Sequence, residues 1–257
     1  MTPFDIFLPC APKDYNKLPY VIDAIVRNGE GFRDIWICAP IIPDCLEKSP
    51  TMPGSPFHFV KDNDALHCDR SKWRYRPNWT FQQHLKLFQN VTSDWYVTVD
   101  CDTIINRPVK FWEGEKPVWY KGWSQVYQPY FDFNKKILDL DRIETRTFIA
   151  DMNFFYRPFV LEMLARGGYT IESFITKSQE ITDDKCHMAE PELYGQYCLR
   201  HHPDFYVFRD LKQTFQAKFQ KECEGSVWSN ADIEGLINHY RNADLDTFAL
   251  HSWYTGE

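Results

Sequence analysis

The stretch Trp95-Tyr96-Val97-Thr98-Val99-Asp100-Cys101-Asp102-Thr103 alternates apolar residues and then ends in two acids spaced Asp-x-Asp. On a strand, Trp95, Val97 and Val99 share one face and Tyr96, Thr98 and Asp100 the other, so the segment reads as a β-strand that delivers carboxylates at its carboxyl end. That edge is where open α/β sheets bind ligands. Two carboxylates this close repel unless a cation or a shared proton lies between them, and hard oxygen donors favour Mg²⁺ or Mn²⁺. Asp100 and Asp102 are therefore read as a divalent-metal platform.

Working outward, Phe4 to Pro9 is a short apolar strand, and Asn16 to Asn28 carries Leu18, Val21, Ile22, Ile25 and Val26 at helical spacing before Gly29. Pro19 suits only the first turn of that helix. Asp34 to Ala39 is the next apolar strand, so the opening is β-α-β with a parallel pair and a right-handed crossover. Residues 41–56 are proline-rich and read as an irregular loop, followed by a brief strand at Phe57 to Val60. Trp79 to Phe88 reads as an amphipathic helix with the buried stripe Phe81, Leu85 and Phe88, leaving Gln82, Gln83 and Lys86 on other faces. Beyond the acid pair, 111–120 and 124–133 are aromatic-rich and expected to be irregular or antiparallel, and 148–156 is expected to be a strand. Helices are expected from Pro158 to Gly167, from Glu190 to Leu199 and from Ala231 to Tyr240, before the short apolar tail Phe248 to Trp253 around His251. The whole reads as one α/β domain, 1–257, with a central, mostly parallel sheet flanked by helices. Residues up to about 105 form a nucleotide-binding half, and about 106–257 an acceptor and sugar half.

Composition narrows the function. With 44% hydrophobic and 25% charged residues in 257, the chain supports a full core. Its net charge of −7 argues against a nucleic-acid surface. No apolar run is long enough to cross a membrane, and Met1 leads almost directly into a strand, so a cytoplasmic protein is expected, in a host's cytoplasm if virus-encoded. The eight cysteines never form Cys-x-x-Cys and read as reduced thiols. Aromatic residues make up 17%, more than a core of this size needs, so some are expected to line a cleft; Trp123, Tyr127, Tyr194 and Trp228 are candidates for stacking on a sugar ring. Asp151 and Asn153, two apart on a strand, share a face on which both can meet sugar hydroxyls.

The order of several pieces is more specific than the acid pair alone. Ile6-Phe7-Leu8-Pro9-Cys10-Ala11-Pro12-Lys13-Asp14, Trp79-Thr80-Phe81-Gln82-Gln83-His84-Leu85-Lys86-Leu87, Val99-Asp100-Cys101-Asp102-Thr103, Ile149-Ala150-Asp151-Met152-Asn153 and Glu190-Pro191-Glu192-Leu193-Tyr194-Gly195 together span most of the chain. In this arrangement the chain resembles the metal-dependent glycosyltransferases of the GT-A fold, a Rossmann-like α/β architecture, and among them the compact enzymes of bacteria and of large algal viruses. The resemblance implies transfer of a hexosyl or deoxyhexosyl group from a nucleoside-diphosphate sugar, with UDP favoured, to a glycan or other hydroxyl acceptor. It implies that Asp102 binds Mn²⁺ or Mg²⁺ directly, that Asp100 lies near the metal or the donor ribose, and that His251 completes the coordination. Imidazole tilts the ion toward Mn²⁺. Pro9, Cys10, Ala11 and Lys13 match a first nucleotide-contacting loop, and Gln83 and Lys86 a helix face toward the donor, with Asn153 also on the donor side. One carboxylate serves as catalytic base, in the order Glu192, Asp151, Glu190.

Two other classes compete. A metal-dependent nucleotidyltransferase also uses acids on metal ions and would release pyrophosphate. A non-enzymatic protein would hold Ca²⁺ on the acids and sugar on the aromatics, without nucleotide dependence.

Overall fold

The structure, a computed structural model, describes residues 2–41, 56–122, 127–220 and 227–254. In chain order the strands are β1 (Phe4–Pro9), β2 (Phe32–Ala39), β3 (Phe57–Lys61), β4 (Trp95–Val99), β5 (Thr103–Ile105), β6 (Trp112–Glu113), β7 (Lys116–Lys121), β8 (Met152–Tyr156), β9 (Val207–Asp210), β10 (Gln213–Gln220) and β11 (Thr247–Tyr254). The helices are α1 (Leu18–Asn28), the short α2 (Asp62–Ala65), α3 (Pro77–Phe88), α4 (Gln128–Leu138), α5 (Arg157–Arg166), α6 (Ile171–Ile181), α7 (Glu190–His201) and α8 (Asn230–Tyr240).

A five-stranded sheet of order β3-β2-β1-β4-β8 forms the centre. Its first four strands are parallel and β8 runs antiparallel to β4, so the fold is the α/β architecture expected, with a parallel-rich sheet covered on both faces. Period-two alternation assigns the faces. Phe4, Ile6, Leu8, Val97, Val99 and Phe154 enter one apolar cluster with Leu18, Val21 and Ile25 of α1 and Phe248 and Leu250 of β11. Phe7, Tyr96 and Phe155 point the other way, into a cluster with Phe81, Leu85 and Phe88 of α3 and Leu193 and Tyr194 of α7. Two smaller three-stranded sheets have the orders β10-β11-β5 and β6-β7-β9.

The expected elements are present with shifted ends, and three differences have physical causes. Residues 124–133 were expected to lack a helix, yet Gln128 opens α4, with Pro129 in its first turn and Phe131, Asn134 and Ile137 buried at helical spacing; residues 124–126, and 42–55 of the proline-rich loop, lie outside the described residues. The strand expected from 148 pairs only from Met152, because three earlier backbone N–H groups are taken by side chains: Phe148 donates to Glu192 (3.0 Å), Ile149 to Thr147 Oγ1 (3.0 Å) and Asp151 to Gln213 Oε1 (3.1 Å). Helix α6 was not foreseen; its capping box is Thr170 with Ser173, a weaker signature than the usual Glu or Gln.

Candidate active site

The central sheet has a topological switch point. From β1 the chain winds outward through β2 and β3 and then returns to the other side of β1 with β4, so a crevice opens at the carboxyl ends of β1 and β4. The β1–β4 register pairs Phe7 with Thr98, and three residues on it sets Cys10 beside Cys101, whose buried sulfurs are 2.7 Å apart. Asp100 and Asp102 flank Cys101 at this crevice.

Asp102 meets His251: Oδ2 lies 3.1 Å from Nδ1. The contact follows from a ladder. β11 runs antiparallel to β5 with Ala249 opposite Thr103, and one step further Leu250 N–H donates to the Asp102 carbonyl (2.8 Å). Phe248 and Leu250 enter the apolar cluster with α1, and strand alternation turns Ala249 and His251 to the other face. Burial disfavours the Asp102 carboxylate, but the His251 hydrogen bond and charge, with Lys17 and Lys13, hold its pKa below the ordinary value. Burial also opposes charging His251; the Asp102 hydrogen bond, then the Asp102, Asp151 and Asp100 charges, raise its pKa above 6.5.

Lys17, which sequence reading passed over, fixes the end of β11. Its ammonium is fully buried and donates to Asp14 Oδ1 (2.6 Å), to the Leu250 carbonyl (2.6 Å) and to Ser252 Oγ (3.0 Å). It therefore grips the residues on both sides of His251. Its place at the start of an apolar helical stripe was the one available signal. Lys13, expected to approach phosphate, donates to the Ser252 carbonyl (2.9 Å) and braces the same strand.

On the other side of the crevice, α3 presents Lys86, buried, with Nζ 2.7 Å from Asp100 Oδ1 and 3.2 Å from Glu190 Oε1. Burial alone would lower the lysine's pKa; Asp100 and Glu190 reverse that and keep it charged. Glu190, at the start of α7, is pushed up to about 7 by burial, with Lys86 opposing and Asp100 adding to the shift. Gln82, one turn before Lys86, donates to Asp100 Oδ1 (3.3 Å). The i, i+4 spacing of Gln82 and Lys86 was legible in the sequence.

Several expected site residues stand elsewhere. Gln83 is buried and donates to the Trp79 carbonyl of its own helix (3.4 Å), so it is Gln82 and not Gln83 that meets Asp100. Glu192 faces away from the acid pair: it accepts from Thr147 Oγ1 and from Phe148 N–H (3.0 Å), clamping the chain before β8. Asn153 is buried, donating to the Ala150 carbonyl (2.9 Å). Pro9 and Cys10 are buried at the end of β1, with Cys10 N–H on the Cys38 carbonyl (2.8 Å), while Ala11 and Pro12 of that loop are exposed. Tyr194 and Trp228 are core residues, and Trp123 lies outside the described residues. Asp151 does join the site. Thr247 donates to its Oδ2 (2.6 Å), and its pKa is raised to about 6 by burial, with the Thr247 bond and His251 opposing and the Asp102 and Asp100 charges adding to it.

Among the described residues no three His, Cys, Asp or Glu side chains converge closely enough to hold a metal ion unaided. Two donors do fit. The 3.1 Å between Asp102 Oδ2 and His251 Nδ1 would let one carboxylate and one imidazole share a divalent ion. Asp100, expected as a further ligand, has its Oδ1 committed to Lys86 and Gln82.

No family model matches the chain, and no curated protein matches it in sequence. Solved structures similar to it include the galactosyltransferase LgtC with donor and acceptor sugar analogs, at 9% identity over 96% of this chain and 86% of that one, with a TM-score of 0.47. Mouse xyloside xylosyltransferase 1 in its apo form is 7% identical over 97% of this chain and 98% of that one, with a TM-score of 0.49.

Proposed function

We propose that this chain is a glycosyltransferase of the GT-A type, moving a hexosyl or deoxyhexosyl group from a nucleoside-diphosphate sugar, with UDP favoured, to a hydroxyl of a glycan acceptor. The Asp102–His251 pair at the switch point carries the reading. Asp102 and His251 hold Mn²⁺ or Mg²⁺, and the ion, when bound, neutralises charge on the leaving diphosphate as a Lewis acid. Lys17 positions His251, and Lys86 fixes the Asp100 carboxylate beside the donor. Asp151 is the preferred base: a carboxyl titrating at about 6 beside the acid pair suits proton abstraction from a hydroxyl near neutral pH. Residues up to about 105 supply the acid pair and Lys86, and the remainder supplies Asp151, Glu190 and His251.

The test is thermal stabilisation by UDP, GDP, ADP and sugar nucleotides, each with and without Mn²⁺. A uridine nucleotide with Mn²⁺ should raise the midpoint most, and Asp102→Asn should remove the metal-dependent part alone. Absence of any nucleotide-dependent shift, with or without metal, overturns the proposal.

A further inference from the structure

Five rings gather beside Glu190 where three helices begin. Tyr75 and Trp79 stand at the start of α3, Tyr127 and Tyr130 at the start of α4, and His187 three residues before α7. His187, 2% exposed, is the floor. Tyr75 stacks on it at 4.5 Å between centroids, while Trp79 (5.5 Å), Tyr130 (5.2 Å) and Tyr127 (5.4 Å) meet it edge-on or tilted. Trp79 and Tyr130 lie within 20° of parallel. A core would close over such rings, yet Tyr127 is 38% exposed and Tyr75, Trp79 and Tyr130 are each only half-buried.

The position of the cluster says what it faces. Trp79 precedes Gln82 and Lys86 on one helix, and Glu190 follows His187 closely in sequence. His187 N–H donates to the Pro129 carbonyl (3.3 Å), which ties the start of α4 to the segment that leads into Glu190; burial, then the Glu190 charge, raises the Tyr130 phenol. Glu190 Oε2 is buried and has no hydrogen-bond partner among the described residues. Arg76, between Tyr75 and α3, holds a left-handed backbone (φ 37°), a conformation retained by side chains chiefly where the surroundings enforce it.

We propose that Tyr75, Trp79, Tyr127 and Tyr130 on the His187 floor form a saccharide-stacking subsite that takes the acceptor as a pyranoside, its apolar C–H face against the rings. This rests on the glycosyltransferase reading for its role as acceptor site, though not for saccharide binding itself. The partly exposed rings, with the Arg76 guanidinium 5.4 Å from the centre of the Trp79 ring, match the alternating C–H face of a pyranose, and a flexible acyclic polyol offers no such face.

The test uses the full chain and saturation-transfer NMR with methyl glucopyranoside, galactopyranoside, xylopyranoside and rhamnopyranoside, and with glucitol as the acyclic control. At least one pyranoside, and not glucitol, should receive saturation on its ring C–H protons. Tyr127→Ala and Tyr75→Ala should each weaken that binding by roughly ten-fold, with Tyr127→Phe retaining it. In turnover assays the same alanine variants should raise KM for the acceptor far more than KM for the donor. No saturation on any pyranoside with UDP and Mn²⁺ present, equal saturation on glucitol, or unchanged binding in both alanine variants overturns the subsite. Pyranoside binding that depends on these rings in a protein that ignores every nucleotide keeps the subsite and removes the glycosyltransferase reading.

Discussion

His251 Nδ1 and Asp102 Oδ2 meet at 3.1 Å although 149 positions separate them, and the antiparallel ladder of β5 with β11 is what joins them. Each holds the other in its charged form. Asp102's pKa is lowered from 3.8, so its contribution to stability is present above that value and lost as pH falls through the lower folded one. His251's is raised from 6.5, so its contribution is complete below 6.5 and lost as pH rises through the higher folded value.

A metal ion must displace the His251 proton. Mn²⁺ affinity should therefore rise with pH, by about ten-fold per unit below the His251 pKa, and level off above it. His251→Ala should flatten that dependence and weaken binding by at least roughly ten-fold. Calorimetric titration of Mn²⁺ between pH 6 and 9 checks both; a wild-type affinity that does not vary with pH would remove His251 from the ligand set.

Lys17 is expected to matter twice. Lys17→Met leaves Asp14 buried without its ammonium, in a site where burial and then the Asp102 charge already raise the carboxyl's pKa. Stranding one partner of a buried pair destabilises by about 3–5 kcal/mol. Asp14→Asn in the same chain should restore much of that stability in urea unfolding. Mn²⁺ binding should stay weak in the double variant, because the Lys17 contacts to the Leu250 carbonyl and Ser252 Oγ on either side of His251 are lost.

The reach of sequence reading follows from periodicity. Alternation in β4 and the 3.6-residue stripe of α1 are local signals, and they yielded the sheet, the crossover and the acid-bearing edge. Burial of a cation is not local: Lys17 beside Leu18 reads as a solvated helix start until β11 arrives from the far end of the chain. Glu190 and Glu192 are two apart on a helix, about 200° around its axis, so one faces the site whenever the other does not. No periodicity chooses between them. Helix α4 was missed because its Tyr and Phe residues favour strands as isolated residues, and packing overrode the preference.

Glu190 should make stability fall as pH rises. Its folded pKa of about 7 exceeds the ordinary 4.5, so between these values the folded state holds a proton that the unfolded state has released. The loss across that window is on the order of 3 kcal/mol. Urea unfolding at pH 5 and pH 8 should show it in the wild type, and Glu190→Gln should remove most of the difference. Parallel pH slopes for the two proteins would count against a protonated Glu190 in the fold.

Glu192 separates clamp from catalyst. It is 1% exposed, burial raises its pKa, and its hydrogen bonds go to Thr147 and Phe148. One turn on, Gly195 lets α7 approach so closely that a Cβ there would lie 2.4 Å from the Phe148 ring. Glu192→Ala leaves the Thr147 O–H and the Phe148 N–H without their acceptor, each costing about 1–3 kcal/mol, so a marked drop in unfolding midpoint is expected. Glu192→Gln keeps an acceptor oxygen for the same donors and should retain turnover within a few-fold, whereas Asp151→Asn should lower kcat by roughly a hundred-fold or more. A folded Glu192→Gln protein without turnover, beside an active Asp151→Asn, would reverse the two assignments.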